Sequence, residues 1–71
     1  MKPLMFKKDK DFYGRPVYHI CKNDKSGYVH GSMEWEKRHK SWYFYDWVGT
    51  IWSAQHIKEI SDFMKKLKDY D

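Results

Sequence analysis

Three side chains suited to metal or nucleophile chemistry lie close together in the chain: His19, Cys21 and His30. Imidazole and thiolate are ordinary zinc ligands, and a thiol beside an imidazole is the start of a cysteine nucleophile. Placed on neighbouring strands, the three would share one face. The pattern goes no further. No C-x-x-C or H-x-x-x-H spacing accompanies them, and a fourth ligand would have to come from Glu34 or solvent. A Cys21–His30 pair also needs a group to orient the imidazole, two donors for an oxyanion, and a pocket. Glu34, Asp46 and Glu59 make no paired-carboxylate spacing, and the four glycines form no phosphate-cradling loop. The simpler reading of His19 and Cys21 is a polar strand face with a half-exposed thiol, and that of His39 and His56 is solvent-exposed side chains. The chain is therefore expected not to be an enzyme, with no catalytic residues, no cofactor and no metal.

The elements that position these residues follow from residue type and period. Residues 4–6 are a short apolar run ending in charge, as in a short edge strand. Tyr13, Gly14, Arg15 and Pro16 make a turn, since Gly takes positive φ and Pro cannot donate in mid-ladder. A strand over residues 17–22 is rich in β-branched and aromatic side chains, and residues 23–27 are dense in turn formers. Residues 28–35 alternate with period two, placing Val29, Gly31, Met33 and Trp35 on one face and Tyr28, His30, Ser32 and Glu34 on the other. A charged tip over 36–40 leads to residues 41–47, a strand that is aromatic on both faces. Ser53 is a good N-cap, and Ile57, Ile60, Phe63, Met64 and Leu67 recur at helical intervals after it.

Closing the first hairpin with Asn23 opposite Tyr28 sets His19 opposite Ser32 and Cys21 opposite His30. Closing the second with Glu36 opposite Ser41 sets Trp35 opposite Trp42, Met33 opposite Phe44, Ser32 opposite Tyr45 and His30 opposite Trp47. The two registers agree on which residues share a face. The inner face becomes Tyr18, Ile20, Val29, Met33, Trp35, Trp42 and Phe44, beneath the five apolar helix residues. The predicted fold is α+β, an antiparallel three- to four-stranded β-meander followed by one C-terminal amphipathic helix on one face. It forms a single domain over residues 1–71, since 71 residues hold only one thin core.

One helix cannot cover both sides of a sheet. The outer face, with Tyr43, Tyr45 and Trp47, is left either to meet a partner or to be covered by a folded-back segment of residues 4–13. Large aromatics beside polar groups are the composition of interface centres, because they offer much contact area for little lost rotamer freedom. Tyr43, Tyr45, Trp47 and His30 are therefore candidate partner-binding residues, with Lys37, Arg38 and Lys40 at the hairpin tip for steering.

Charge supports this division. The net charge is +4, but residues 1–45 hold ten Lys/Arg against five Asp/Glu while residues 46–71 hold four against five. The basic half fits an acidic protein surface or a nucleic acid. For the latter, bases would stack on the aromatic face while Lys22, Lys25, Lys37, Arg38 and Lys40 met phosphate. Only Arg15 and Arg38 are available for bidentate base contacts, which argues against direct base reading. One cysteine excludes an intramolecular disulfide and favours a reducing compartment. No apolar stretch is long enough for a signal peptide or a membrane span, so a cytoplasmic, membrane-free protein is expected.

The segment from Trp42 to Leu67, with its Trp42-Tyr43-Phe44-Tyr45 run, Trp52, and the spaced Ile57, Ile60, Phe63 and Leu67, resembles small uncharacterised proteins encoded by phages. The resemblance implies a short accessory inhibitor that binds and blocks a host protein complex, and it carries no site residues. The leading expectation is such a non-enzymatic binding module, monomeric or homodimeric. The alternative is a nucleic-acid binder using the same face.

Overall fold

The computed structural model describes residues 3–22 and 27–70. Of the turn expected over residues 23–27, residues 23–26, Lys25 among them, lie outside the described residues. Four strands, β1 (Leu4–Lys10), β2 (Pro16–Lys22), β3 (Val29–Glu36) and β4 (Ser41–Asp46), precede one helix, α1 (Ala54–Lys66). The strands form one antiparallel sheet in the order β1-β2-β3-β4, so the fold is the α+β meander with a C-terminal helix.

The first strand is longer than its apolar run. Leu4 to Lys10 pairs along all of β2, with Phe6 opposite Ile20 and Lys8 opposite Tyr18. Residues 4–10 thus extend the sheet sideways and do not fold over its outer face. Leu4 and Phe6 join the core instead, because inward positions of β1 fall beneath the helix. The Leu4 amide donates to Glu59 Oε1 across 2.8 Å, tying the start of the sheet to the helix.

The β1–β2 turn is organised by Asp11. Its carboxylate accepts from the amides of Tyr13 at 2.9 Å and Arg15 at 2.8 Å, and from the Arg15 guanidinium at 3.1 Å. Burial pushes the Asp11 carboxyl up, but these amide bonds and the Arg15 charge outweigh it and hold the group below its usual value. Gly14 takes φ +79°, and Pro16 opens β2 where no ladder donor is lost.

The expected register holds between β3 and β4, with Trp35 opposite Trp42, Met33 opposite Phe44 and Ser32 opposite Tyr45. Between β2 and β3 it holds from Val17 to Ile20 and then shifts. Cys21 stands opposite Val29, not His30. An irregularity of this kind gives one strand an extra residue and re-aims the side chains around it. Val29 is accordingly absent from the core cluster. Gly31, just beyond, is required as glycine, since a Cβ there would meet the Tyr45 carbonyl oxygen and the Phe44 ring.

The core is Leu4, Ile20, Met33 and Ile60, with Phe6, Tyr18, Phe44, Trp52, Phe63 and Met64 packed around it. Phe6 stacks on Phe63 at 4.3 Å between ring centroids, and Tyr18 meets Phe63 edge-on at 5.2 Å. Ser53 caps α1, accepting from the His56 amide at 3.0 Å, while His56 Nδ1 accepts from the Ser53 amide at 3.4 Å in a reciprocal capping box. His56 is therefore half-buried, not a free surface group. His56 and Trp52 are in edge contact at 6.1 Å beneath the first turn, while Ile57, at the margin of the Ile60, Phe63 and Met64 stripe, is 46% exposed. The helix core contribution begins at Ile60.

Candidate protein-binding face

The face opposite the helix is assembled from alternate residues of all four strands: Met5, Lys7 and Asp9 of β1, Val17, His19 and Cys21 of β2, Ser32 and Glu34 of β3, and Tyr43 and Tyr45 of β4. Trp47 follows β4 and continues its ladder, donating its amide to the His30 carbonyl at 3.0 Å. The indole then lies down across β3, its Nε1–H donating to Ser32 Oγ at 3.0 Å. The Ser32 hydroxyl in turn donates a hydrogen bond to Glu34 Oε2 at 2.8 Å. On the far side, the ring of His19 meets Trp47 edge-on at 5.3 Å.

This chain of bonds explains the burial. Ser32 is fully buried and Cys21 is 2% exposed, although no helix covers this side. The thiol is thus a buried apolar group and not the half-exposed one expected, because the Met5 and Val29 strands flank it on either side. The aromatic residues above remain open: Tyr43 is 39%, Tyr45 40% and Trp47 50% exposed. Trp47 is half a lid and half a contact surface. Tyr43 is fixed by stacking on His39 at 5.6 Å with the rings 15° apart.

The charge on this face is mixed. Burial, then the carboxylates of Glu34 and Glu36 and the neighbouring Tyr43, hold the Tyr45 phenol above its usual value. Arg15, Glu34, Glu36, Lys37, Arg38 and Tyr45 line a shallow cavity of about 460 Å³ at this end. Lys37, Arg38 and Lys40 are exposed on the β3–β4 turn, where Glu36 accepts from the Arg38 amide at 2.8 Å. The positive charge therefore rims the aromatic group at one end, while carboxylate sits within it.

The structure sets Tyr43, Tyr45 and Trp47 on one face, with Tyr43 nearest the basic turn and Trp47 at the far end of the strand, and it turns the His30 ring away from them. His30 Nδ1 lies 3.0 Å from Thr50 Oγ1, and its ring meets Tyr28 at 5.1 Å and Trp52 at 6.2 Å. The irregularity beside Cys21 draws it toward the loop after β4. His19, Cys21 and His30 consequently do not converge, and among the described residues no group of three or more His, Cys, Asp or Glu is placed to hold a metal ion. Sequence reasoning missed Met5 on this face, and it set Ser32 there opposite Tyr45 without foreseeing its burial under Trp47. The pairing of Met5 with Cys21 depends on β1 being longer than its apolar run, and no local signal marks the Trp47–Ser32 bond.

Among the described residues no helix is long and apolar enough to cross a membrane. Compared with protein-family models, with curated proteins and with solved structures, the chain has no match.

Proposed function

We propose that this chain is a non-enzymatic binding module that docks on another protein through the outer face of its sheet. Tyr43, Tyr45 and Trp47 are the anchors, and Lys37, Arg38 and Lys40 steer the encounter with an acidic surface. The supporting observation is the Trp47–Ser32–Glu34 relay, which fixes a large indole in place while leaving half of it open. A ring held before binding loses little further freedom on docking, so more of its contact energy becomes affinity. Occlusion of a host macromolecule inside the cytoplasm, as an inhibitor, is the role that best suits so small a surface-binding domain.

The nucleic-acid reading uses the same rings but fits less well. Burial first, and then Glu34 and Glu36, raise the Tyr45 phenol, so a phosphate chain laid over Tyr45 would meet two carboxylates as well as Arg15, Lys37 and Arg38. The deciding experiment is affinity capture by the immobilised protein, quantified by mass spectrometry, with Tyr45→Ala and Trp47→Ala beside the wild type and Ile57→Ser as a control on the helix face. A protein retained by the wild type and by Ile57→Ser but lost in the two sheet variants is the expected result. Equal capture by all four would overturn the assignment of the face.

A further inference from the structure

The two edges of the sheet are built differently. β1 carries Lys7, Lys8, Asp9 and Lys10 along its edge, and such charged side chains discourage pairing with another strand. β4, Ser41–Asp46, has the sequence Ser-Trp-Tyr-Phe-Tyr-Asp, with no lysine, no proline and a single charge at its last position. The Trp47 amide points at β3. Alternation along the strand then turns the backbone groups of Tyr45, Tyr43 and Ser41 to β3 and those of Trp42, Phe44 and Asp46 outward. Within the described residues, no backbone hydrogen bond from another segment reaches these outward groups.

We infer that β4 pairs antiparallel with β4 of a second copy of this chain, around a two-fold axis at Phe44, to give a continuous eight-stranded sheet. The register is set by what the edge offers. Centred on Phe44, all three outward residues of each copy find hydrogen-bonded partners: Phe44 opposite Phe44, and Trp42 opposite Asp46 in both directions. Tyr43 of one copy then stands directly opposite Tyr45 of the other on the outer face, an aromatic cross-strand pair. The antiparallel arrangement also brings the basic turn at the start of one β4, with Lys37, Arg38 and Lys40, to the end of the other where Asp46 lies. The same operation on β1, centred on Lys7 or Lys8, would set that lysine against its own copy at the axis. A symmetric edge pairing of this kind is isologous and closes at two copies. It joins the two aromatic faces into one surface of six rings, so that the proposed docking face doubles in length.

The test has two parts that read the edge and not the docking partner. Analytical ultracentrifugation over a concentration series should move the mass from 8.8 kDa toward twice that value. Asp46→Pro, which removes an outward N–H, should hold it at the monomer, whereas Asp46→Ala, which keeps the amide, should still dimerise. Single Tyr43→Cys and Tyr45→Cys variants, mixed and oxidised, should form a covalent heterodimer far faster than either alone, because residues 43 and 45 face each other with Cα atoms about 4.5 Å apart in a non-hydrogen-bonded pair. Cys21 is buried and does not compete. A monomer at every concentration, a dimer that survives Asp46→Pro, or equal cross-linking in the mixed and single-variant samples would each overturn the pairing.

Discussion

The indole N–H of Trp47 lies 3.0 Å from the hydroxyl of Ser32, and that bond turns a loop residue into a fixed part of the sheet's outer face. Ser32 is fully buried under the ring, and its hydroxyl donates a hydrogen bond to Glu34. Ser32→Ala should cost about 1 kcal/mol of stability, since Trp47 and Glu34 are both open enough to turn to water. The clearer readout is exchange of the Trp47 indole proton in NMR, which should accelerate markedly while amides of β3 and β4 stay protected. Unchanged indole exchange would mean that the bond does not hold the ring.

Gly31 on β3 leaves no room for a Cβ against β4. A methyl group there would run into the Tyr45 carbonyl oxygen, which is backbone and cannot step aside as a side chain can. Gly31→Ala is expected to destabilise the fold by roughly 2–3 kcal/mol, at the upper end for overpacking. Urea denaturation measures this, and a loss under 0.5 kcal/mol on the order-of-magnitude scale for surface changes would contradict it.

Lys40 closes the β3–β4 turn with φ 50°, the only positive value among the described non-glycine residues. Lys40→Gly relieves that conformation and should raise stability by about 1 kcal/mol. It also removes one steering charge. The same protein should therefore be more stable in thermal melts and slower to associate with its partner at low salt.

Tyr45 offers a pH signature of the site. Its phenol is held above the usual value by burial first and by Glu34 and Glu36 next. A raised folded-state value in a group that ionises to an anion means that the neutral form is favoured in the fold. The associated stability is complete below the usual phenol value of about 10 and is lost as pH climbs through the raised one. Ultraviolet titration should show Tyr45 ionising late, and Glu34→Gln should bring it down part of the way, leaving the contributions of burial, Glu36 and Tyr43.

Much of this architecture is legible in the residues because local and long-range signals agree. The alternation of residues 31–35, the capping serine at Ser53 and the Trp35–Trp42 and Met33–Phe44 pairs follow from period and turn length alone. What was hidden depends on contacts between distant segments. Leu4 and Phe6 enter the core because Glu59 and Phe63 wait for them on the helix. His56 meets Trp52 because a reciprocal cap holds the imidazole against the Ser53 amide, while Ile57, at the margin of the Ile60, Phe63 and Met64 stripe, stays exposed. His30 leaves the outer face because one step in the β2–β3 ladder slips, and a period-two reading carries no mark of such a slip. Tyr43, Tyr45 and Trp47 could be named as open aromatics, but the buried Ser32 that anchors Trp47 could not.

The most direct test of a protein-docking face over a nucleic-acid face is fluorescence anisotropy with labelled single- and double-stranded DNA and RNA, titrated with the protein from low to physiological salt. With Glu34 and Glu36 among Arg15, Lys37 and Arg38 beside Tyr45, the expected result is weak binding at low salt that is the same in Tyr45→Ala and Trp47→Ala as in the wild type. Tight binding that falls steeply with salt and disappears in both Tyr45→Ala and Trp47→Ala would contradict the account and make the aromatic face a platform for bases.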